Sequence, residues 1–252
     1  MPELLFSEAA DWDLFDVNMR LGSSGIHGEL ALDTNGLLRE MGRFCIRQGL
    51  VSHWECEEYD VVSGNEALAR EIGPRMTPAW GVLPEAQFLA LLAARKPSAV
   101  RLTPGRQQSN FSLDHWCAAG LFEYLQQGAV VTLIASADIA WTDVATLLEN
   151  FPRLPLVVLE TGYRADRYLF PLLERFPSLH FDSSTYLAHR QLEAFVERHG
   201  ADRILFGTRL PLYTPAASLG VLASSRIPDV QRLAIAGGNL RRLLAASGRG
   251  AR

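Results

Sequence analysis

The sequence predicts an α/β protein folded as one TIM-type (β/α)8 barrel, with room for distortion, and three observations carry that prediction. Eight apolar, β-branched runs alternate with longer stretches of helical period, the pattern of strand and helix units laid around a parallel sheet. The chain is 252 residues long, a length at which such barrels occur undivided. No dinucleotide-type turn follows the first strand. Gly22-Ser23-Ser24-Gly25 lacks GxGxxG spacing and a helix directly behind it, which argues against a phosphate loop and an open doubly wound sheet.

In order, the strands are expected at 14–19, 50–54, 77–82, 99–102, 129–135, 156–160, 179–182 and 204–207. Helix starts are marked by Asp33-Thr34, Pro84-Glu85, Ser112-Leu113-Asp114 and Thr142-Asp143, residue types that cap a first turn or favour it electrostatically. After the sixth strand, Leu169, Leu172, Leu173 and Phe176 recur at helical spacing, so a helix is expected over 165–176, ending before Pro177. A further helix at 189–199 closes on Gly200, and two more are expected at 216–224 and 229–246. There is no repeat or linker. One domain over 1–252 is expected, with 247–252 as a frayed tail.

A net charge of -4 and scattered Lys and Arg positions argue against nucleic acid as a partner. No apolar stretch reaches the roughly 20 residues of a membrane span, and no leader-like segment is read. Cys45, Cys56 and Cys117 are odd in number and lack CxxC spacing, so reduced thiols and a cytoplasmic location are expected. A homo-oligomer is allowed by this reading.

In such a barrel, chemistry gathers at the C-terminal ends of the strands, where the βα loops form a concave face. Strand one alternates Asp16, Asn18 and Arg20 with Phe15, Val17 and Met19, so the polar set is expected to share one face and point inward. Strand two ends in His53-Trp54-Glu55, strand four carries Arg101, strand five ends in Ala135-Ser136, strand six in Glu160-Thr161 and strand eight in Thr208-Arg209. Three arginines and a glutamate are thus expected to converge at the mouth.

From FDVNMRLG through LVVLETGY and FPSLHFDSS to GADRILFGTRLPL and GGNLRRLL, the chain resembles the amidohydrolase superfamily. It is most similar to the amidohydrolase-related branch, which includes decarboxylases and lactonases of aromatic and dicarboxylic acids. The closing pair is the most specific part: residues 200–211 fit the frame G-A-D-R-I-L-F-G-S-D-x-P, and 239–244 fit the N-A-x-R-L-L helix behind it. The resemblance implies a metallo-dependent hydrolase barrel. In that family, a H-x-H pair on strand one, a His on strand five, a His on strand six and an Asp on strand eight hold one or two divalent metals. This sequence has Asn18, Arg20, Ala135, Glu160 and Arg209 there. Arg has no lone pair to give, Ala gives nothing and Asn one weak amide oxygen, which leaves Glu160 as the only good metal ligand. The expectation is a barrel without metal or other cofactor, a pseudoenzyme with respect to metal-dependent hydrolysis.

Three readings of the mouth stay open. Arg20, Arg209 and Glu160 could form an internal salt-bridge cluster in a protein that acts by binding a ligand or partner. Alternatively Asn18, Arg20, Arg101 and Arg209 could grip a small carboxylate or phosphate, with Glu160 or His53 as proton carrier in a metal-independent, lactonase-like hydrolysis. Thirdly, a metal site could be relocated to His53, Glu55 and Cys56. His115, His180, His189 and His199 are read as structural, and Ser183, Ser184, Thr185 and Tyr186 as turn and cap residues.

Overall fold

The computed structural model of the protein describes residues 7–27 and 30–247, so the expected frayed tail, Ser247 apart, lies outside the described residues. Nine strands follow in chain order: β1 (Leu14–Leu21), β2 (Ile46–His53), β3 (Met76–Pro78), β4 (Trp80–Gly81), β5 (Ala99–Leu102), β6 (Val131–Ala135), β7 (Leu156–Leu159), β8 (Leu179–Asp182) and β9 (Ile204–Leu205). All pair in parallel, in the orders β1-β2-β3 and β4-β5-β6-β7-β8-β9. β3 and β4 are the two halves of the expected third strand, parted only at Ala79, whose N–H still donates to Val51 O at 2.8 Å. At the other seam, Val17 N–H donates to Phe206 O at 2.9 Å and Arg20 N–H to Leu210 O at 3.0 Å, which brings the chain beyond β9 against β1. Eight strand positions therefore succeed one another as the barrel requires, with β9 shorter than expected because Gly207 to Arg209 turn away to serve the site.

One strand-one expectation is overturned. The pairing of β1 with β2 slips between Asp16 and Met19: Asp16 lies opposite Gly49 and Met19 opposite Val51, so three steps on β1 match two on β2. Such a bulge switches the face that following side chains occupy. Phe15 and Val17 pack with Leu50, Ala99, Leu133 and Leu205 in the barrel interior, while Met19 and Leu21 belong to the layer between strands and helices. Asp16 thus does not share a face with Asn18 and Arg20. It turns to Thr208 instead, and the bulge is what delivers Asn18 and Arg20 inward above the apolar interior.

A second correction concerns β2, which starts four residues earlier than expected and stops at His53. Trp54 opens a short helix, Trp54–Glu58, so Glu55 does not share a strand face with His53. The next helix, Val61–Glu71, packs on it through Gly64, where an added Cβ would stand 2.3 Å from Cys56 N. Gly64→Ala is therefore expected to destabilise the protein by about 1–3 kcal/mol in urea denaturation, since backbone cannot yield as a side-chain tip can.

The base of the barrel explains the closing motif. The expected helix 229–246 is three consecutive pieces, Asp229–Leu233, a π turn at Ala234–Gly238 and Asn239–Ala246. Buried Asn239 donates through Nδ2 to Ala201 O at 2.7 Å and Ile204 O at 2.9 Å, and Leu240 packs into the barrel interior. The other expected helices appear as Asp166–Arg175, Gln191–His199 and Pro215–Ser224. Among the described residues, no helix is long and apolar enough to cross a membrane.

Candidate active site

At the centre of the mouth lies the guanidinium of Arg20, 1% exposed, with every nitrogen engaged. Nε donates to Glu57 Oε1 at 2.8 Å, Nη1 to Asn18 Oδ1 at 3.1 Å and Nη2 to Glu160 Oε1 at 3.1 Å. Its Cζ stands 4.7 Å from the Trp54 ring centroid, so an indole face covers the cation. Arg101 parallels it from β5: Nε is 3.0 Å from Glu57 Oε1, and Nη1 donates to the same Asn18 oxygen at 3.0 Å. Asn18 acts as the hub. Its oxygen takes both guanidinium groups, while Nδ2 donates to Glu160 Oε1 at 3.2 Å and Asp182 Oδ2 at 3.3 Å.

Glu160 follows β7 in a left-handed conformation, φ 61°, as does Arg209 beyond β9. Non-glycine residues hold such angles only when their surroundings determine them. For Glu160 those are Asp182 Oδ1, which accepts its N–H at 2.7 Å, and Ser136, whose hydroxyl donates to its carbonyl at 2.6 Å. Arg209 is held by Glu160 Oε2, 2.8 Å from its Nε, and donates through Nη1 to Tyr213 Oη at 3.1 Å. With a side chain 20% exposed, it is the outermost cation of the group.

The charges settle accordingly. Burial alone would raise the Glu160 carboxyl, but Arg20, Arg101 and Arg209 bring it down to about 2. Glu57 is likewise held below its ordinary range, burial being outweighed by Arg101 and Arg20. Two buried aspartates go the other way. Burial lifts Asp16 to about 7, despite bonds from Thr208 and Asn18, and lifts Asp182 to about 6 against bonds from Ser184 and Glu160 N–H.

A model of the family described as Amidohydrolase matches residues 67–245, more than half of the chain. The chain belongs to the amidohydrolase family. Solved structures agree in fold: a TIM-barrel protein of Bordetella bronchiseptica has a TM-score of 0.73 at 17% identity, covering 94% of this chain and 99% of that one. The 5-carboxyvanillate decarboxylase of Sphingomonas paucimobilis gives 0.70 at 12%, covering 93% and 99%. A 2,6-dihydroxybenzoate decarboxylase from Rhizobium gives 0.74 at 13%, covering 92% and 98%. No curated protein matches the chain.

Of the residues singled out by the family resemblance, Asn18, Arg20, Arg101, Glu160 and Arg209 come together. His53 stands apart. Its Nδ1 accepts from Glu55 N–H at 3.2 Å, its Nε2 is 3.6 Å from Glu71, and the ring lies against Gly22, where an added Cβ would be 2.3 Å from Nε2. Burial lowers its pKa, so the ring favours the neutral form. His53, Glu55 and Cys56 do not form a metal cluster: among the described residues no three His, Cys, Asp or Glu side chains are placed to hold an ion. Cys56 faces Val61 O and Asn65, and burial pushes its thiol up to about 12, away from the thiolate that binds metal.

Sequence reasoning missed Glu57 and undervalued Asp182. Glu57 falls in the acidic run Glu55 to Glu58, and only the strand-to-helix switch at Trp54 turns it back under Arg20 and Arg101. The available signal was charge balance, since buried arginines on β1 and β5 demand acidic partners from a neighbouring loop.

Proposed function

We propose that this amidohydrolase-fold protein lacks the family's metal centre, is degenerate for metal-dependent hydrolysis and acts as a ligand-binding or partner protein. The observation that carries the reading is the Arg20 guanidinium, fixed between Glu57, Asn18 and Glu160 at the centre of the mouth. A divalent cation does not fit this donor set. The one amide oxygen, Asn18 Oδ1, already accepts from two guanidinium groups, and both Glu160 oxygens face arginines. Three fixed positive charges around the remaining carboxylate oppose a fourth.

The same contacts weigh against a free anion clamp around Arg20 and Arg101, because Glu57 and Glu160 hold the positions a ligand carboxylate would take. Arg209 favours a narrower second reading, metal-independent hydrolysis of a carboxylate-bearing substrate, since it is partly exposed next to the buried cluster. A solved relative is a 2,6-dihydroxybenzoate decarboxylase complexed with 2,6-dihydroxybenzoate, so a fold of this kind admits an aromatic carboxylate.

Plasma mass spectrometry on protein expressed with Zn, Mn, Fe and Co supplied tests the proposal. The expected result is metal far below one equivalent per chain; near-stoichiometric metal overturns it. A screen of carboxylates and lactones, with turnover read by chromatography, then separates binding from metal-independent hydrolysis.

A further inference from the structure

We propose that a cleft beside the barrel mouth, between the segments that follow β5 and β6, binds a small organic ammonium ion. The cleft has a volume of about 350 Å³ and is bordered by Asp114, Asp138 and Asp143 with Phe111, Leu113 and Leu147, and no Lys, Arg or His side chain lines it. A pocket of that size lies at the small end of the range for bound organic ligands.

Two of the acids have structural reasons to be there. Asp114 caps the helix His115–Gln127, and Asp143 lies in the first turn of Trp141–Asn150, where a carboxylate complements the helix dipole. Asp138 has no such reason. It sits in the turn after β6 with a side chain 4% exposed, and Arg106 Nε approaches Oδ1 at 2.9 Å, while Oδ2 is buried without a hydrogen-bond partner among the described residues. A buried carboxylate oxygen left bare costs free energy unless a donor reaches it.

The walls are fixed. Gly105 lies so close that an added Cβ would be 2.9 Å from Asp138 Cα, and the β5 loop is pinned by the Thr103 and Ser109 hydroxyls at 2.7 Å. Among the described residues no three carboxylates are gathered for a metal ion, so the cation that fits has N–H donors on a carbon body. The ammonium answers Asp138 while Phe111, Leu113 and Leu147 cover the apolar part. This site is separate from the Arg20 cluster and does not depend on how that cluster functions.

Calorimetric and ¹H–¹⁵N NMR titrations at pH 7 with phenethylamine, and with phenylacetate as the oppositely charged probe of similar size, test the assignment. Saturable one-site binding of phenethylamine is expected, with shifts at residues 104–114 and 138–147 and none there from phenylacetate. Asp138→Asn should weaken binding about tenfold or more, the loss of a charge-assisted hydrogen bond. Thr146→Trp, a change at an exposed wall position, should fill the cleft and abolish binding without altering the circular dichroism spectrum. Absence of saturation by about 10 mM, a range that still detects millimolar affinity, would overturn the proposal. So would equal binding of phenylacetate, or unchanged affinity in Thr146→Trp, which decides the matter if Asp138→Asn fails to fold.

Discussion

Arg20→Met is expected to cost about 3–5 kcal/mol of stability at neutral pH, the penalty for breaking a buried ion pair from one side. The substitution keeps much of the volume over Trp54 but withdraws three donors at once. Glu57 Oε1 would retain Arg101 and the Ser52 hydroxyl at 3.1 Å; Glu160 Oε1 would retain Asn18 and a long 3.8 Å approach from Arg101. Two carboxylates that lie well below their ordinary pKa range would lose a shared cation, and each would be driven back toward protonation. Urea denaturation checks the size. The double variant Arg20→Met/Glu57→Gln separates charge from packing: if the penalty is uncompensated charge, removing the Glu57 charge should recover a substantial part of it. Additive losses in the double variant would mean that Arg20 contributes packing rather than electrostatics.

The acid limb of the stability curve follows from the same pairs. A carboxylate with a depressed folded pKa contributes stability above its unfolded pKa and loses it as pH falls through the folded value. For Glu160 that window runs from about 4.5 down to about 2. In Arg20→Met the window should narrow from its lower end, because the folded pKa of Glu160 moves up.

The fold was legible because each barrel strand carries its own apolar run and each helix its own start, and these are local signals. Even so, the pairing slip on β1 could not be read. Alternation along Phe15 to Arg20 looks regular, and only the opposing β2 residues reveal that one residue has no counterpart. The site was legible in its cations, since Arg20, Arg101 and Arg209 stand at or near strand ends where polar residues are conspicuous. Its anions were harder. Glu57 reaches the cluster from a helix whose existence depends on β2 ending at His53, and Asp182 looks like an ordinary strand terminus until its two oxygens are found on Glu160 N–H and Asn18 Nδ2. Partners supplied across the barrel are long-range facts, and pattern within one segment does not contain them.

Asp16 gives the second large prediction, of opposite sign to the first. Its carboxylate accepts the N–H of Asn18 at 2.8 Å and that of Thr208 at 3.2 Å, and the Thr208 hydroxyl also contacts Oδ2, yet no cation faces it in these contacts. Burial therefore wins, and its pKa rises from 3.8 to about 7. For a raised folded pKa the stabilising contribution is complete below the unfolded value and is lost as pH climbs through the folded one. Between about pH 4 and pH 7 the wild-type protein should thus forfeit on the order of 3–4 kcal/mol from this group. Asp182, lifted to about 6, adds a similar decline over a slightly lower window. Asp16→Asn keeps an acceptor for the two backbone N–H groups and replaces the titrating oxygen by an amide that can donate to the Thr208 hydroxyl, which already accepts from Leu210 N–H. The variant should match the wild type near pH 4 and exceed it in urea stability by pH 8, with the residual slope below about pH 6 left by Asp182. Parallel stability curves for the two proteins would show that Asp16 remains ionised in the fold, and that Thr208 and the Asn18 amide are enough to hold a bare carboxylate at the base of the site.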